Sequence, residues 1–140
     1  MNKTTLKTVL LIDDNEHDNF IHTYTIQKTR PELDVRAVLS GEEALEYFTK
    51  ARDGMDNFPY PDLVFLDINM PGMNGFEFLE EARKQKFITN GHPVMVVMLT
   101  SSLSYNDVNR ATKEFSEEIT EYKNKPLTVE MFEEVVGLHF

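Results

Sequence analysis

Three short apolar runs, each ending abruptly in polar residues, constrain the fold of this 140-residue chain more than any other feature. The runs cover 9–12, 63–66 and 94–99, and the residues that follow them directly are Asp13, Asp67 and Thr100. Continuous apolar runs of this length are typical of strands buried on both faces, as in parallel sheets. Parallel strands end on one edge of their sheet, where ligands of open α/β sheets bind. We therefore expect these polar side chains to meet at one edge.

The alternation of strand-like and helix-like segments predicts an α/β fold, a doubly wound five-stranded parallel sheet. The predicted strands are 8–13, 35–39, 63–67, 94–100 and 119–124, each followed by a helical segment. The second strand contains Arg36 and the fifth is mostly polar, so both are expected at the edges of the sheet. The resulting order is 2-1-3-4-5, with its topological switch point between strands one and three.

Local patterns support several helix boundaries. Ser40 and Glu43 have the spacing of a capping box, and Thr128 is a predicted N-cap with Leu127 and Phe132 spaced as a hydrophobic staple. The first helix, around Phe20, Ile21 and Tyr24, has a weaker apolar pattern. The connection at 52–62 is long for this fold class and is expected to be an exposed surface loop.

Composition narrows the classes of function. The net charge of −10 argues against a nucleic-acid surface, which requires clustered Lys and Arg. The chain has no cysteine, which excludes disulfides, thiolate metal sites and a cysteine nucleophile. No stretch approaches the roughly 20 apolar residues of a membrane span, so we expect a cytoplasmic protein with no membrane partner. The length fits one domain, predicted as 1–140.

The predicted edge of the sheet has the groups needed for phosphoryl capture. Asp13, Asp14 and Asp67 flank the switch point, and two carboxylates about 4 Å apart repel by roughly 4 kcal/mol at an effective dielectric constant near 20. A cation must therefore balance them, and oxygen ligands with room for water suit Mg²⁺. An aspartate can attack phosphorus when a metal and an ammonium neutralise the transferring oxygens, and Lys125 and Thr100 provide an ammonium and a hydroxyl.

Four motifs give the chain its resemblance to a known family. They are LLIDDNE at 10–16, PDLVFLDINMPGMNG at 61–75, VVMLTSS at 96–102 and KPLT at 125–128. Together they resemble the receiver domain of two-component response regulators, specifically a single-domain, chemotaxis-regulator-like member. The resemblance covers essentially the whole chain and implies the flavodoxin-like receiver fold.

The resemblance also implies roles for individual residues. Asp67 would accept a phosphoryl group from a histidine kinase or phosphotransfer protein. Asp14 would bind Mg²⁺ through its carboxylate, Asp13 would bind it through water, and Asn69 would contribute its backbone carbonyl. The side chains of Asn69 and Ser102 would influence how fast the phosphate is lost.

The remaining implied roles concern the switch. Thr100 and Lys125 would contact phosphoryl oxygens, and the Lys125-Pro126 peptide would be cis. Thr100 would move toward the phosphate, and Tyr122 would rotate into the space vacated, which changes the partner affinity of the surface formed by the fourth and fifth helices and the fifth strand. Lys123 and Asn124 depart from the apolar residues that are usual there.

The sequence thus predicts a stand-alone response regulator that switches protein contacts with an unknown downstream protein and is not a turnover enzyme. It could also pass phosphate onward in a relay. One alternative is an aspartate-nucleophile phosphatase of the haloacid dehalogenase type, although that class has its nucleophile on the first strand and a second Asp where Asn69 stands. Another is a receiver-like interaction module that never receives phosphate.

Overall fold

Strands and helices alternate along the whole computed structural model, which describes residues 5–88, 94–101 and 104–140. The strands are β1 (Thr8–Ile12), β2 (Asp34–Val38), β3 (Leu63–Leu66), β4 (Met95–Thr100) and β5 (Ile119–Asn124). The helices are α1 (Glu16–Thr29), α2 (Gly41–Arg52), α3 (Gly75–Gln85), α4 (Tyr105–Glu114) and α5 (Val129–His139). Every predicted strand is present, with boundaries within one residue of the prediction.

The five strands form one parallel sheet in the order β2-β1-β3-β4-β5. The predicted order is therefore confirmed, with β2 and β5 at the edges. The neighbours of β1 are β2 on one side and β3 on the other, so the chain reverses its winding direction at this point. The switch point between β1 and β3 is where open α/β sheets bind ligands.

The three central strands are buried on both faces, and their residues alternate between two apolar clusters. Along β1, Leu10 and Ile12 pack into one cluster, and Val9 and Leu11 pack into the other. The first cluster contains the inward residues of α2, α3 and α4, among them the fully buried Phe48. The second contains those of α1 and α5, which contact each other. The continuous apolar runs of the sequence are thus explained by helices on both sides of the sheet.

The predicted helix caps are largely present. The Thr128 side chain accepts a hydrogen bond from the Met131 N–H, and the staple residues Leu127 and Phe132 are both buried in the second cluster. Ser40 caps α2 by accepting from the Glu43 N–H at 3.0 Å. The reciprocal half of that capping box differs from the prediction, because Glu43 Oε1 accepts from the N–H of Leu39, one residue earlier than Ser40.

Three apolar residues of α1, Phe20, Ile21 and Tyr24, point away from the core. Phe20 is 72% exposed and Tyr24 is 62% exposed, and Ile21 is also exposed. The buried residues of this helix are Asn19, His22 and Ile26, two of which are polar. Its weak apolar pattern therefore reflects an inward face that is polar in its N-terminal half.

The connection between α2 and β3 is only partly the exposed loop that the sequence predicts. Its first residues, 53–57, are exposed, but Phe58 and Tyr60 are half-buried against the first apolar cluster. The Tyr47 hydroxyl donates a hydrogen bond of 2.7 Å to the Pro59 carbonyl. Aromatic contacts close the loop onto α2, as Phe58 meets Tyr47 edge-on.

Candidate functional site

The register of the central strands brings two aspartates side by side. Ile12 of β1 pairs with Leu66 of β3, so Asp13 and Asp67 leave the sheet at adjacent positions on its carboxyl edge. The Asp67 N–H donates a hydrogen bond of 3.0 Å to the Ile12 carbonyl, which fixes this relation. Both side chains are buried, with relative exposures of 5% for Asp13 and 6% for Asp67.

Asp14 completes a group of three carboxylates. One carboxylate oxygen from each of Asp13, Asp14 and Asp67 lies within 4.8 Å of the others. Asp14 is exposed, whereas the other two are buried, so the group opens to solvent on one side. The structure thus brings together the three acids that the sequence placed at this edge.

Lys125 reaches the same group from the end of β5. Thr100 of β4 pairs with Asn124, and the Lys125 N–H donates a hydrogen bond of 2.8 Å to the Thr100 carbonyl. The Lys125-Pro126 peptide is cis, as the family resemblance implied. The Lys125 Nζ lies 2.6 Å from Asp13 Oδ2 and 3.8 Å from Asp67 Oδ2. The ammonium therefore partly neutralises the acidic group.

Burial and neighbouring charges together shift the pKa values at this edge. Burial raises the pKa of Asp67 to about 6, and the charge of Asp13 adds to that rise, while Lys125 opposes it. Burial alone would lower the pKa of Lys125, but hydrogen bonds with Asp13 and with Asp18 of α1 outweigh it and raise the pKa to about 12. The lysine is thus charged at neutral pH, and Asp67 bears an electrostatic cost when it ionises.

Thr100 ends β4 beside the same carboxylate. Its side chain is fully buried, and its hydroxyl makes no hydrogen bond of good geometry to another described residue. The hydroxyl nevertheless lies close enough to Asp67 to lower the pKa of that carboxyl as a donor. A buried hydroxyl without a firm partner is unusual in folded proteins and is suited to a ligand oxygen.

The loop after β3 holds Asp67 against the start of α3. A Cβ on Gly75 would lie 2.5 Å from the Asp67 carbonyl oxygen, so only glycine permits this approach. Gly72 has a φ of +75°, which also favours glycine. Asn74 caps α3 in a full capping box with Glu77. Asn69 lies on the exposed side of the loop, and its N–H acts on the Asp67 carboxylate and lowers its pKa.

Helix α1 contributes polar contacts that the sequence analysis missed. The Asn19 side-chain amide donates a hydrogen bond of 2.9 Å to the Asp13 carbonyl, and Asp18 Oδ2 lies 2.8 Å from the Lys125 Nζ. Burial lowers the pKa of the nearby His22 imidazole, against the opposing charge of Asp18. The signal available in the sequence was the weak apolar periodicity of α1, which is expected when the inward face of a helix is polar.

The predicted switch residue Tyr122 lies apart from this group. Tyr122 is on β5, paired with Met98, and its side chain is 40% exposed. Ser102, predicted to modulate phosphate stability, lies outside the described residues. The structure therefore describes an outward Tyr122.

The acidic group fits a hard divalent cation. Its donor set is three carboxylates, and hard oxygen ligands of this kind suit Mg²⁺. Burial and then the charge of Asp13 raise the pKa of Asp67, and Lys125 opposes them only in part, so a cation bound here would favour the ionised carboxylate. Asp13, Asp14 and Asp67 are thus the candidate ligands on chemical grounds.

Comparisons with known proteins agree with this architecture. The chain is 26% identical over 128 residues to the sensory transduction protein LytT of Bacillus subtilis, a match that covers 91% of this chain and 46% of LytT. The chain thus spans about half the length of that relative.

No described helix is long and apolar enough to cross a bilayer.

Solved structures with a similar fold include response regulators. A two-component response regulator from Cytophaga hutchinsonii superposes with a TM-score of 0.79 at 27% identity, covering 96% of this chain and 97% of that one. The Vibrio cholerae chemotaxis protein CheY4 shares the fold with a TM-score of 0.74 at 24% identity, covering 97% and 100%. The model of the response regulator receiver domain matches residues 9–136, almost the entire sheet and its helices. With its acidic edge, its lysine after β5 and this match, the chain belongs to the family of response regulator receiver domains.

Proposed function

We propose that this receiver domain accepts a phosphoryl group on Asp67 from a histidine kinase or phosphotransfer protein, with Mg²⁺ as cofactor. The observation that carries the proposal is the arrangement around Asp67. A nearly buried carboxylate lies within 4.8 Å of Asp13 and Asp14 oxygens and 3.8 Å from an ammonium. Such a carboxylate is a competent nucleophile toward phosphorus once the charge of the transferring oxygens is balanced.

The proposed transfer exchanges one bond for another. An Asp67 carboxylate oxygen forms a bond to phosphorus as the P–N bond to the donor histidine breaks. The bonding electron pair returns to the imidazole, which takes a proton from solvent. Lys125 and Thr100 donate hydrogen bonds to the phosphoryl oxygens, and Asp67 becomes an acyl phosphate.

The cofactor would be held by the acids at the same edge. Asp14 and Asp67 would bind Mg²⁺ through their carboxylates, Asp13 through water, and Asn69 through its backbone carbonyl. When bound, the ion would balance negative charge on the phosphoryl oxygens. Asn69 and Ser102 side chains would then set how readily water reaches the acyl phosphate.

The proposed output is a change in protein contacts. The buried Thr100 hydroxyl and the exposed Tyr122 ring are the two groups that would move together, with Thr100 toward the phosphate and Tyr122 inward. Phosphorylation would thus favour one of two conformers and alter the surface of α4, β5 and α5. We propose that residues 1–140 act as one cytoplasmic domain on a downstream protein and catalyse only their own phosphorylation and dephosphorylation.

Intact mass measurement after incubation with acetyl phosphate and Mg²⁺ tests the proposal. We expect wild type to gain one phosphoryl group and Asp67→Asn to gain none, because the amide is not a nucleophile toward phosphorus. Asp56→Asn makes the same chemical change at an exposed loop position and should be phosphorylated like wild type. Absence of an adduct on wild type would favour the alternative of a phosphorylation-independent interaction module.

The phosphatase alternative is tested separately. Asp67 follows β3, and the chain belongs to the receiver family, which both argue against a haloacid-dehalogenase-type enzyme. Incubation with a phosphomonoester such as p-nitrophenyl phosphate should give no sustained release of product. Steady turnover that depends on Asp67 would contradict the assignment as a signalling module.

A further inference from the structure

The Lys125 ammonium is shared among three carboxylates, one of which the proposed transfer does not use. Its Nζ lies 2.6 Å from Asp13 Oδ2 and 2.8 Å from Asp18 Oδ2, but 3.8 Å from Asp67 Oδ2. The two close ion pairs of the lysine are thus with Asp13 and Asp18. The proposed phosphoacceptor is the most distant of the three partners.

Asp18 is well held for this contact. It lies in the first turn of α1, where its N–H donates a hydrogen bond of 3.0 Å to the side chain of the N-cap residue Asn15. Carboxylates are favoured in the first turn of a helix, where the backbone N–H groups are unpaired. The hydrogen bond from Lys125 lowers the pKa of Asp18, so the carboxylate is charged at neutral pH.

The ion pair is also shielded from solvent. The side chains of Lys125 and Asp18 are 12% and 29% exposed, respectively. Water competes less with a contact of this kind than with a fully exposed surface ion pair. Asp18 therefore attracts the same ammonium that the proposed transfer needs beside Asp67.

We propose that Asp18 is a positioning residue that holds the Lys125 ammonium away from Asp67 and weakens the attraction of the site for a phosphoryl group. This inference rests on the proposed function of the site. An ammonium has three N–H donors, and Asp13 and Asp18 engage two of them at close range. The negative charge of Asp18 also opposes the arrival of an anionic phosphoryl group in a partly buried site.

Asp18→Asn separates the charge of Asp18 from its size. The amide keeps the shape of the side chain and one oxygen acceptor, but it no longer attracts the ammonium as an ion. With Mg²⁺ held constant, the dissociation constant for beryllofluoride, a mimic of the phosphoryl group, should fall about threefold to tenfold. Asp18→Glu restores a carboxylate and should return the affinity toward that of wild type.

Glu16→Gln is the matched control. Glu16 is exposed in the same helical turn and makes no ion pair with any residue the structure describes, so this change removes one negative charge without releasing Lys125. We expect its affinity to remain within a factor of two of wild type. If Glu16→Gln increased the affinity for beryllofluoride as much as Asp18→Asn does, the effect would be due to net charge, and the positioning role would be overturned.

Fluorine NMR titration with beryllofluoride provides both readouts. The apparent affinity comes from the bound signals, and the fluorine nearest Lys125 should change its chemical shift in Asp18→Asn, which a purely structural role would not produce. Thermal unfolding confirms that each variant is folded, and Asp18→Ser is a second neutral variant at this position. Unchanged or weaker affinity in a folded neutral variant overturns the inference, whereas a wild-type protein that binds no beryllofluoride contradicts the proposed function itself.

Discussion

Replacing Asp67 with asparagine should stabilise the protein in the absence of a divalent cation. The ionised carboxylate is buried beside the charge of Asp13, and together these raise its pKa from an ordinary value of 3.8 to about 6. An amide of the same shape removes that cost. The function of the site would thus be maintained at the expense of the stability of the fold.

The magnitude follows from linkage between ionisation and folding. A pKa raised from 3.8 to about 6 corresponds to at most about 3 kcal/mol, at about 1.4 kcal/mol per pKa unit. The site opens to solvent on the side of Asp14, so we expect a gain of about 1–2 kcal/mol for Asp67→Asn at pH 7. Because the folded pKa is raised, the penalty in wild type is absent below pH 3.8, grows as the pH rises toward 6 and is complete above it.

Urea unfolding followed by circular dichroism, with a chelator present, measures the effect. The free energy of unfolding of Asp67→Asn should exceed that of wild type at pH 7, and the two should converge near pH 4. Added Mg²⁺ should reduce the difference, because a cation compensates the carboxylate only in wild type. Asp56→Asn, at an exposed loop position, should show neither effect. A destabilised Asp67→Asn, or a difference independent of pH, would refute the electrostatic reasoning.

Three further predictions concern the scaffold and are measured by urea or thermal unfolding. Gly75→Ala should lower the free energy of unfolding by about 2 kcal/mol or more, because the new Cβ would lie 2.5 Å from the Asp67 carbonyl oxygen. A variant of wild-type stability would contradict this contact. Gly137→Ala should raise the free energy of unfolding by about 0.5 kcal/mol, because a Cβ there meets nothing within 4 Å and alanine favours the helix. A lower free energy of unfolding would mean that the methyl group is not accommodated. Arg83→Met should lower the free energy of unfolding by about 3 kcal/mol, because the buried carboxylate of Glu118, 3% exposed, would lose its guanidinium partner at 2.7 Å. A decrease below about 1 kcal/mol would mean that Glu118 reaches water.

The sheet could be predicted because its strands have simple patterns. Continuous apolar runs identify β1, β3 and β4 as central, and Arg36 identifies β2 as an edge strand. The packing of the connection before β3 was missed, since Phe58 and Tyr60 lie among Gly and Pro residues and have no periodicity. Their burial depends on contacts with rings of the preceding helix α2, which the pattern of the connection itself does not indicate.

The sequence predicts the site residues that lie at the ends of strands, but not those on helix α1. The group lies at or just after the carboxyl ends of four strands, and parallel topology brings its members together: Asp13, Asp14, Asp67, Thr100 and Lys125. Asp18 follows no strand, and an acid in the first turn of a helix is ordinarily explained by the cap and the helix dipole. Its approach to Lys125 depends on the rotation of α1 about its own axis, which apolar periodicity could not define for this helix.

The polar inner face of α1 has a consequence for how tightly this helix adheres to the sheet. Its C-terminal half is anchored by the fully buried Ile26, whereas Asp18 and Asn19 attach its first turns through an ion pair and an amide contact. A polar contact of this kind can be removed by one substitution that leaves the apolar burial of Ile26 in place. Asn19→Ala, which removes the hydrogen bond to the Asp13 carbonyl, should accordingly accelerate amide hydrogen exchange at the beginning of α1 well before it affects α2 or α3.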